Sequence, residues 1–135
     1  MIQSPYVRKP AHVQSIMLTV LLGLVPGVAA YVWQIGAGIL VNLGIACATA
    51  LAAEALVLKL RKRPLKPALS DLSALVSAAL IALCLPPIVP WWLTALAVLI
   101  GIVVAKQLYG GLGQNPFNPA MVAYCTMIIA YPSLM

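Results

Sequence analysis

Residues 10–53 read PAHVQSIMLTVLLGLVPGVAAYVWQIGAGILVNLGIACATALAA, without one Asp, Glu, Lys or Arg between Lys9 and Glu54. One membrane span needs about 20 apolar residues. The stretch is far longer, so it must fold back on itself as a hairpin of helices. Residues 72–105, between Asp71 and Lys106, are also free of charge and carry the same implication. The 135 residues are 64% hydrophobic and 7% charged, with a mean hydropathy of +1.07. A soluble domain carries roughly 25% charged residues. This composition cannot cover a water-facing surface, and it reads as an all-α, polytopic transmembrane helix bundle.

Helix-breaking residues divide the two stretches. Five helices are expected, over residues 15–32, 36–58, 70–85, 91–108 and 119–133, after a tail over residues 1–14. Pro26 and Gly27 predict a kink in the first helix. Tyr31 and Trp33 suit a membrane interface, as do Trp91 and Trp92. Gly36, Gly38 and Gly44, with Ala46, Ala48, Ala50, Ala52 and Ala53, give the second helix close-packing faces. Pro64 and Pro67 are expected to stop helices in the loop that follows. Pro86, Pro87 and Pro90 end the third.

The net charge of +6 and pI near 9.6 raise nucleic acid as a partner. The distribution argues against it. Lys59, Arg61, Lys62, Arg63 and Lys66 cluster in one short loop without aromatic residues. With the N-terminus inside, two helical hairpins return this loop, and then Lys106, to the cytoplasmic side. All eight basic residues then obey the positive-inside rule. A membrane is the expected location, with the bilayer rather than nucleic acid as partner. The odd number of spans, with nothing polar after Met135, suggests part of a larger protein.

Few residues could carry chemistry. Glu54 is an intramembrane acid, and such a residue is a functional candidate by default. Pairing with Lys59 or Arg61 at the interface is the simpler account, and an ion or proton path is the alternative. Asp71 reads as a helix cap, or as a cation or flavin contact. Ser70, Ser73 and Ser77 share a helical face. They serve equally well as helix–helix glue or as a ligand wall. His12 reads as an interfacial residue. Cys47, Cys84 and Cys125 lie apart in apolar segments and read as small packing residues. No catalytic triad, metal-ligand cluster or nucleotide-binding loop is present, so no catalytic residue and no metal site are assigned.

The remaining irregular stretch is Tyr109-Gly110-Gly111-Leu112-Gly113-Gln114-Asn115-Pro116-Phe117-Asn118-Pro119-Ala120-Met121. Glycine, proline and asparagine in this density exclude an ordinary helix. At membrane depth such backbone is tolerated only inside protein or beside a water-filled cavity. The side-chain amides of Asn115 and Asn118 are expected to replace missing backbone bonds. Gly110, Gly111 and Gly113 would allow close approach of a helix or a flavin ring. Asp71, Gly111, Gly113, Asn115 and Asn118 are the cofactor-binding candidates.

Preceded by Lys106-Gln107-Leu108, that stretch resembles the signature of the family joining RnfD, of the Rnf electron-transport complex, with NqrB, of the Na⁺-translocating NADH:quinone reductase. Ser4-Pro5 with Ser15-Ile16-Met17, Asp71-Leu72-Ser73-Ala74-Leu75-Val76, and Leu85-Pro86-Pro87 with Pro90-Trp91-Trp92 agree in the same order. The short tail is closer to the Rnf branch of the family. The resemblance implies a membrane subunit of an ion-translocating electron-transport complex, coupling flavin-mediated electron transfer to Na⁺ or H⁺ movement. Other membrane and peripheral subunits would be its partners. It also implies an inverted-repeat fold like that of urea transporters, with about ten helices, of which this chain would be the first half. The family carries FMN as a phosphoester on a threonine in a Ser-Gly-Ala-Thr-like motif, and riboflavin is a second flavin to consider. Thr19, Thr49, Thr94 and Thr126 all lack that context, so the attachment site is not expected in this chain. A small-solute channel of the urea-transporter type and a structural scaffold subunit remain alternatives.

Overall fold

The structure, a computed structural model, describes residues 12–135. Nearly all of the expected tail, with Ser4-Pro5, Arg8 and Lys9, lies outside the described residues. Of Pro67 and Ala68 only the backbone is described. Helix α1 spans Val13–Ile35 and α2 spans Gly38–Leu60. A short α3 spans Leu65–Leu69, α4 spans Ser73–Cys84 and α5 spans Trp91–Leu99. The chain of α5 continues as a π-helical segment, Ile100–Gln107. Helix α6 spans Pro119–Ala130, and a 3₁₀ turn over Pro132–Leu134 follows. No strand occurs among the described residues. The architecture is a helical membrane bundle, as the composition requires.

Helices α1 and α2 are each 23 residues and apolar enough to cross a bilayer. The other three apolar helices are shorter, the longest being the continuous run Trp91–Gln107. Helix α1 runs through Pro26 without interruption and has no buried residue. It leans on α2 and α4 across an apolar crevice of about 590 Å³ bordered by Leu21, Val28, Leu43, Cys47, Leu75 and Ala79. Cys84 and Cys125 are exposed rather than packed inside, and all three thiols are free.

The core lies between α2, α4, α5 and α6. Helix α2 buries Ile39, Asn42, Ala46, Ala50, Ala53, Glu54 and Leu58, a single stripe at spacings of three and four. Helix α4 answers with Ala74, Ala78 and Ala82. Without a hydrophobic drive between helices in lipid, close contact of small residues supplies the dispersion energy that holds them. Gly44, Ala48 and Ala52 point outward, so only one of the two alanine-rich faces of α2 is used inside the bundle.

The start of the third expected helix moves, and the basic loop gains a helix. The third begins at Ser73 rather than near Ser70, because Leu72 takes a left-handed conformation (φ 62°) and ends any helix before it. The basic loop is not a plain loop, since α3 lies within it. Pro64 is the N-cap of α3 and Pro67 falls in its first turn, where a missing N–H has no partner to lose. Proline therefore starts this helix rather than stopping it.

The π-helical segment passes very close to its neighbours. A Cβ at Gly101 would stand 2.8 Å from Ile81 Cδ1 and 3.1 Å from the Pro119 carbonyl oxygen. Ile81 can give way, but the backbone of Pro119 cannot. Gly101→Val is expected to destabilise the full-length protein by about 1–3 kcal/mol. Gly44→Ala, in open space mid-helix, should be neutral or stabilising by about 0.5–1 kcal/mol. Thermal unfolding in detergent compares the two, and equal melting temperatures would refute the close approach.

Candidate functional site

Glu54 lies on the buried stripe of α2, four residues after Ala50 and four before Leu58. Lys59 and Arg61 point away and are exposed. The interfacial pairing expected from the sequence is therefore replaced. Lys106 from the π-helical segment donates to Glu54 Oε1 at 2.6 Å, with side-chain exposures of 3% and 2%. Gln107 Nε2 donates to the same oxygen at 2.8 Å. Lys106 is thus an internal counter-charge.

The π helix explains how two consecutive residues reach one carboxylate oxygen. Its i→i+5 bonding, seen in the Leu108 N–H donating to the Val103 carbonyl at 3.0 Å, adds one residue to the turn. Such bulges recur at functional sites. The Gly111 N–H then returns to the Lys106 carbonyl at 3.1 Å. Gly110 (φ 111°) and Gly111 (φ 99°) take conformations that side chains rarely adopt, which ends the segment beside Glu54.

Asp71 joins the cluster through Ser73. Its Oδ1 accepts from the Ser73 N–H at 2.8 Å and from Ser73 Oγ at 2.7 Å. Ser73 Oγ in turn accepts from Lys106 Nζ at 2.7 Å. The N-cap of α4 is Leu72 rather than Asp71, which stands one residue earlier, accepts from the first helical N–H in an Asx turn and orients a buried hydroxyl. A continuous chain runs from Asp71 through Ser73 and Lys106 to Glu54 and Gln107. Glu54 Oε2 is buried and has no hydrogen-bond partner among the described residues.

Two cavities flank this chain. A cleft of about 310 Å³ is bordered by Glu54, Arg63, Asp71, Lys106, Gln107 and Gly111. A smaller one of about 150 Å³ is bordered by Ser73, Ser77, Lys106, Asn115 and Asn118. Lys106 and Leu112 border both. Asp71 and Gly111 therefore meet at the cleft, and Asn115 and Asn118 at the smaller cavity. Gly113 (φ 82°) is exposed and borders neither.

The asparagines bond to the backbone as expected. Asn115 Nδ2 donates to the Phe117 carbonyl at 2.8 Å, and Asn118 Oδ1 accepts from the Ala120 N–H at 2.9 Å as the N-cap of α6. A second polar contact was not anticipated. Thr94 Oγ1 donates to Asn42 Oδ1 at 3.3 Å, and Asn42 Nδ2 reaches the Pro86 carbonyl at 3.4 Å. Asn42 shares the stripe of Ala46 and Ala50, which is the signal that could have found it. It lies twelve residues before Glu54, about 18 Å along the helix, so α2 carries one polar clasp near each end.

A helical membrane bundle with a buried acid, lysine and serine between two cavities defines a membrane protein with an internal polar cluster. The chain matches the profile of the NQR2, RnfD, RnfE family over residues 1–135 and belongs to that family. It is similar to the RnfD protein of the ion-translocating oxidoreductase complex in Escherichia coli O1:K1 / APEC and to that in Escherichia coli (strain K12 / DH10B). Each is 50% identical over 132 residues, which is 98% of this chain and 38% of the relative. The chain thus spans less than half the length of these curated relatives.

Removing one partner of a buried pair strands the other's charge. Lys106→Met is expected to cost about 3–5 kcal/mol, and the double variant Glu54→Gln with Lys106→Met much less. A double-mutant cycle on thermal unfolding of the full-length protein measures this, and additive losses would contradict it. Asn118→Ala should cost about 1 kcal/mol through loss of the cap. An unchanged melting temperature would show the cap to be dispensable.

Proposed function

We propose that this chain is part of the membrane subunit of an Rnf-type ion-translocating electron-transport complex and that its polar chain serves the ion-moving half of the work. The bundle would lie in a bacterial inner membrane, N-terminus cytoplasmic, against other membrane and peripheral subunits. The observation that carries the reading is Glu54. It is a buried acid with one oxygen held by Lys106 and the other unpartnered, beside a polar cleft. Acids inside a membrane are costly, and they mark ion or proton pathways. Lys106 gives Glu54 a tethered cation, so a passing Na⁺ or proton would exchange against a charge already in place. Ser73 links that ammonium to Asp71, the second acid at the cleft.

The proposed flavin belongs to the full-length protein. The polar cluster does not fit the phosphate of FMN, which would bring further negative charge toward Glu54 and Asp71. Its one buried lysine is already engaged. The threonines fit attachment no better. Thr19, Thr94 and Thr126 donate their hydroxyls to Ser15, Asn42 and Val122. Thr49 is the fourth, and because none of the four stands in a Ser-Gly-Ala-Thr-like context the sequence supports placing covalent FMN on residues outside this chain; riboflavin stays a proposal for the full-length protein on the same footing.

The complete complex, reconstituted in liposomes with a redox donor, tests the reading. Glu54→Gln is expected to keep flavin content and electron transfer while losing most ion movement. A wild-type complex without flavin, or unchanged ion movement in Glu54→Gln, would overturn it.

A further inference from the structure

The charges of this bundle are sorted by depth. Both acids, Glu54 and Asp71, are bound inward, to Lys106 and to Ser73. Six lysines and arginines lie among the described residues, and only Lys106 meets an acid. The other five are Lys59, Arg61, Lys62, Arg63 and Lys66, and all are exposed. They occupy eight consecutive positions without an acidic neighbour. Among the described residues, no ion pair reaches these five cations.

The local backbone fixes how that charge is presented. Lys62 holds a left-handed conformation (φ 53°), and the Arg63 N–H closes back on the Leu58 carbonyl at 3.0 Å. This turn ends α2 and leads directly to α3 through Pro64. Leu60 is 74% exposed and Leu65 is 39% exposed, so apolar side chains alternate with the cations. A short, ordered element of this kind at the end of a membrane helix suits the boundary between acyl chains and headgroups. The leucines enter the apolar side while lysine and arginine reach the phosphates. A basic cluster next to a span is attracted to anionic lipid, and each cation near the surface adds to the binding.

We propose that residues 59–66, with α3, form an anionic-phospholipid site that seats this end of the bundle on the headgroup phosphates. The site requires only that the bundle be in a membrane, so it stands apart from the ion-moving role of Glu54. Purified full-length protein, with phosphatidylglycerol or phosphatidylcholine added to neutral detergent, tests it by the lipid retained per protein molecule in native mass spectrometry. Preference for phosphatidylglycerol is expected, weakened at high salt. The triple variant Arg61→Gln, Lys62→Gln, Lys66→Gln should lower that preference at least about tenfold, from the per-residue attraction of cations to anionic lipid. Exchanging these three between lysine and arginine should retain it. Equal retention of the two lipids, or undiminished preference in the glutamine variant, would overturn the site. So would loss of a soluble subunit from the variant complex with lipid preference intact, because the patch would then face protein.

Discussion

The bond between Lys106 and Glu54 governs the inner arrangement of this bundle. Two full charges removed from water incur a large desolvation penalty, recovered only with near-ideal geometry and further hydrogen bonds. The structure supplies both: a 2.6 Å contact, a second donor from Gln107 and a serine acceptor for the ammonium. To meet these demands, α2, α4 and the π-helical segment must converge at one point. The π bonding, the glycine pair after it and the left-handed turn at Leu72 are local departures that make the convergence possible.

Packing elsewhere is built to allow that approach. Alanines on α2 and α4 bring their backbones together, and Gly101 lets the π-helical segment meet α4 and α6 without a Cβ. Larger residues would hold the helices apart, and Lys106 could not span the gap. At the other end, Asn42, Thr94 and the Pro86 carbonyl fix α2 against α5. The two clasps set the register of α2, while α1 remains outside the core. Polar bonds thus give direction to an interface that apolar contacts in lipid leave unspecified.

This placement also orders the chemistry. One unpartnered carboxylate oxygen sits beside a cleft, and a lysine stands between that cleft and a smaller cavity. The exposed cations lie at the same end, since Arg63 and Pro64 border the cleft together with Gly110 and Gly111. Charge inside and charge at the surface therefore do different work. The former ties α2, α4 and the π-helical segment together, and the latter lies exposed beside the cleft.

The sequence alone determined the class and the main helices. Charge-free stretches longer than one span leave a helical bundle, because every backbone group must be satisfied internally and an unbroken apolar run lacks the alternation of barrel strands. It also marked Asp71 and Asn118 as side chains that bond nearby backbone, and residues 109–118 as irregular, since those conclusions rest on neighbours in the chain. Only the tertiary structure decided that Glu54 pairs with Lys106 rather than with Lys59 or Arg61. The partners are 52 residues apart, and their meeting depends on which face of α2 turns inward. It depends equally on a π bulge that has no local signature. Nearness in sequence favoured the wrong cations because Lys59, five residues on, lies off the buried stripe, and Arg61 falls beyond the end of α2 in an exposed turn.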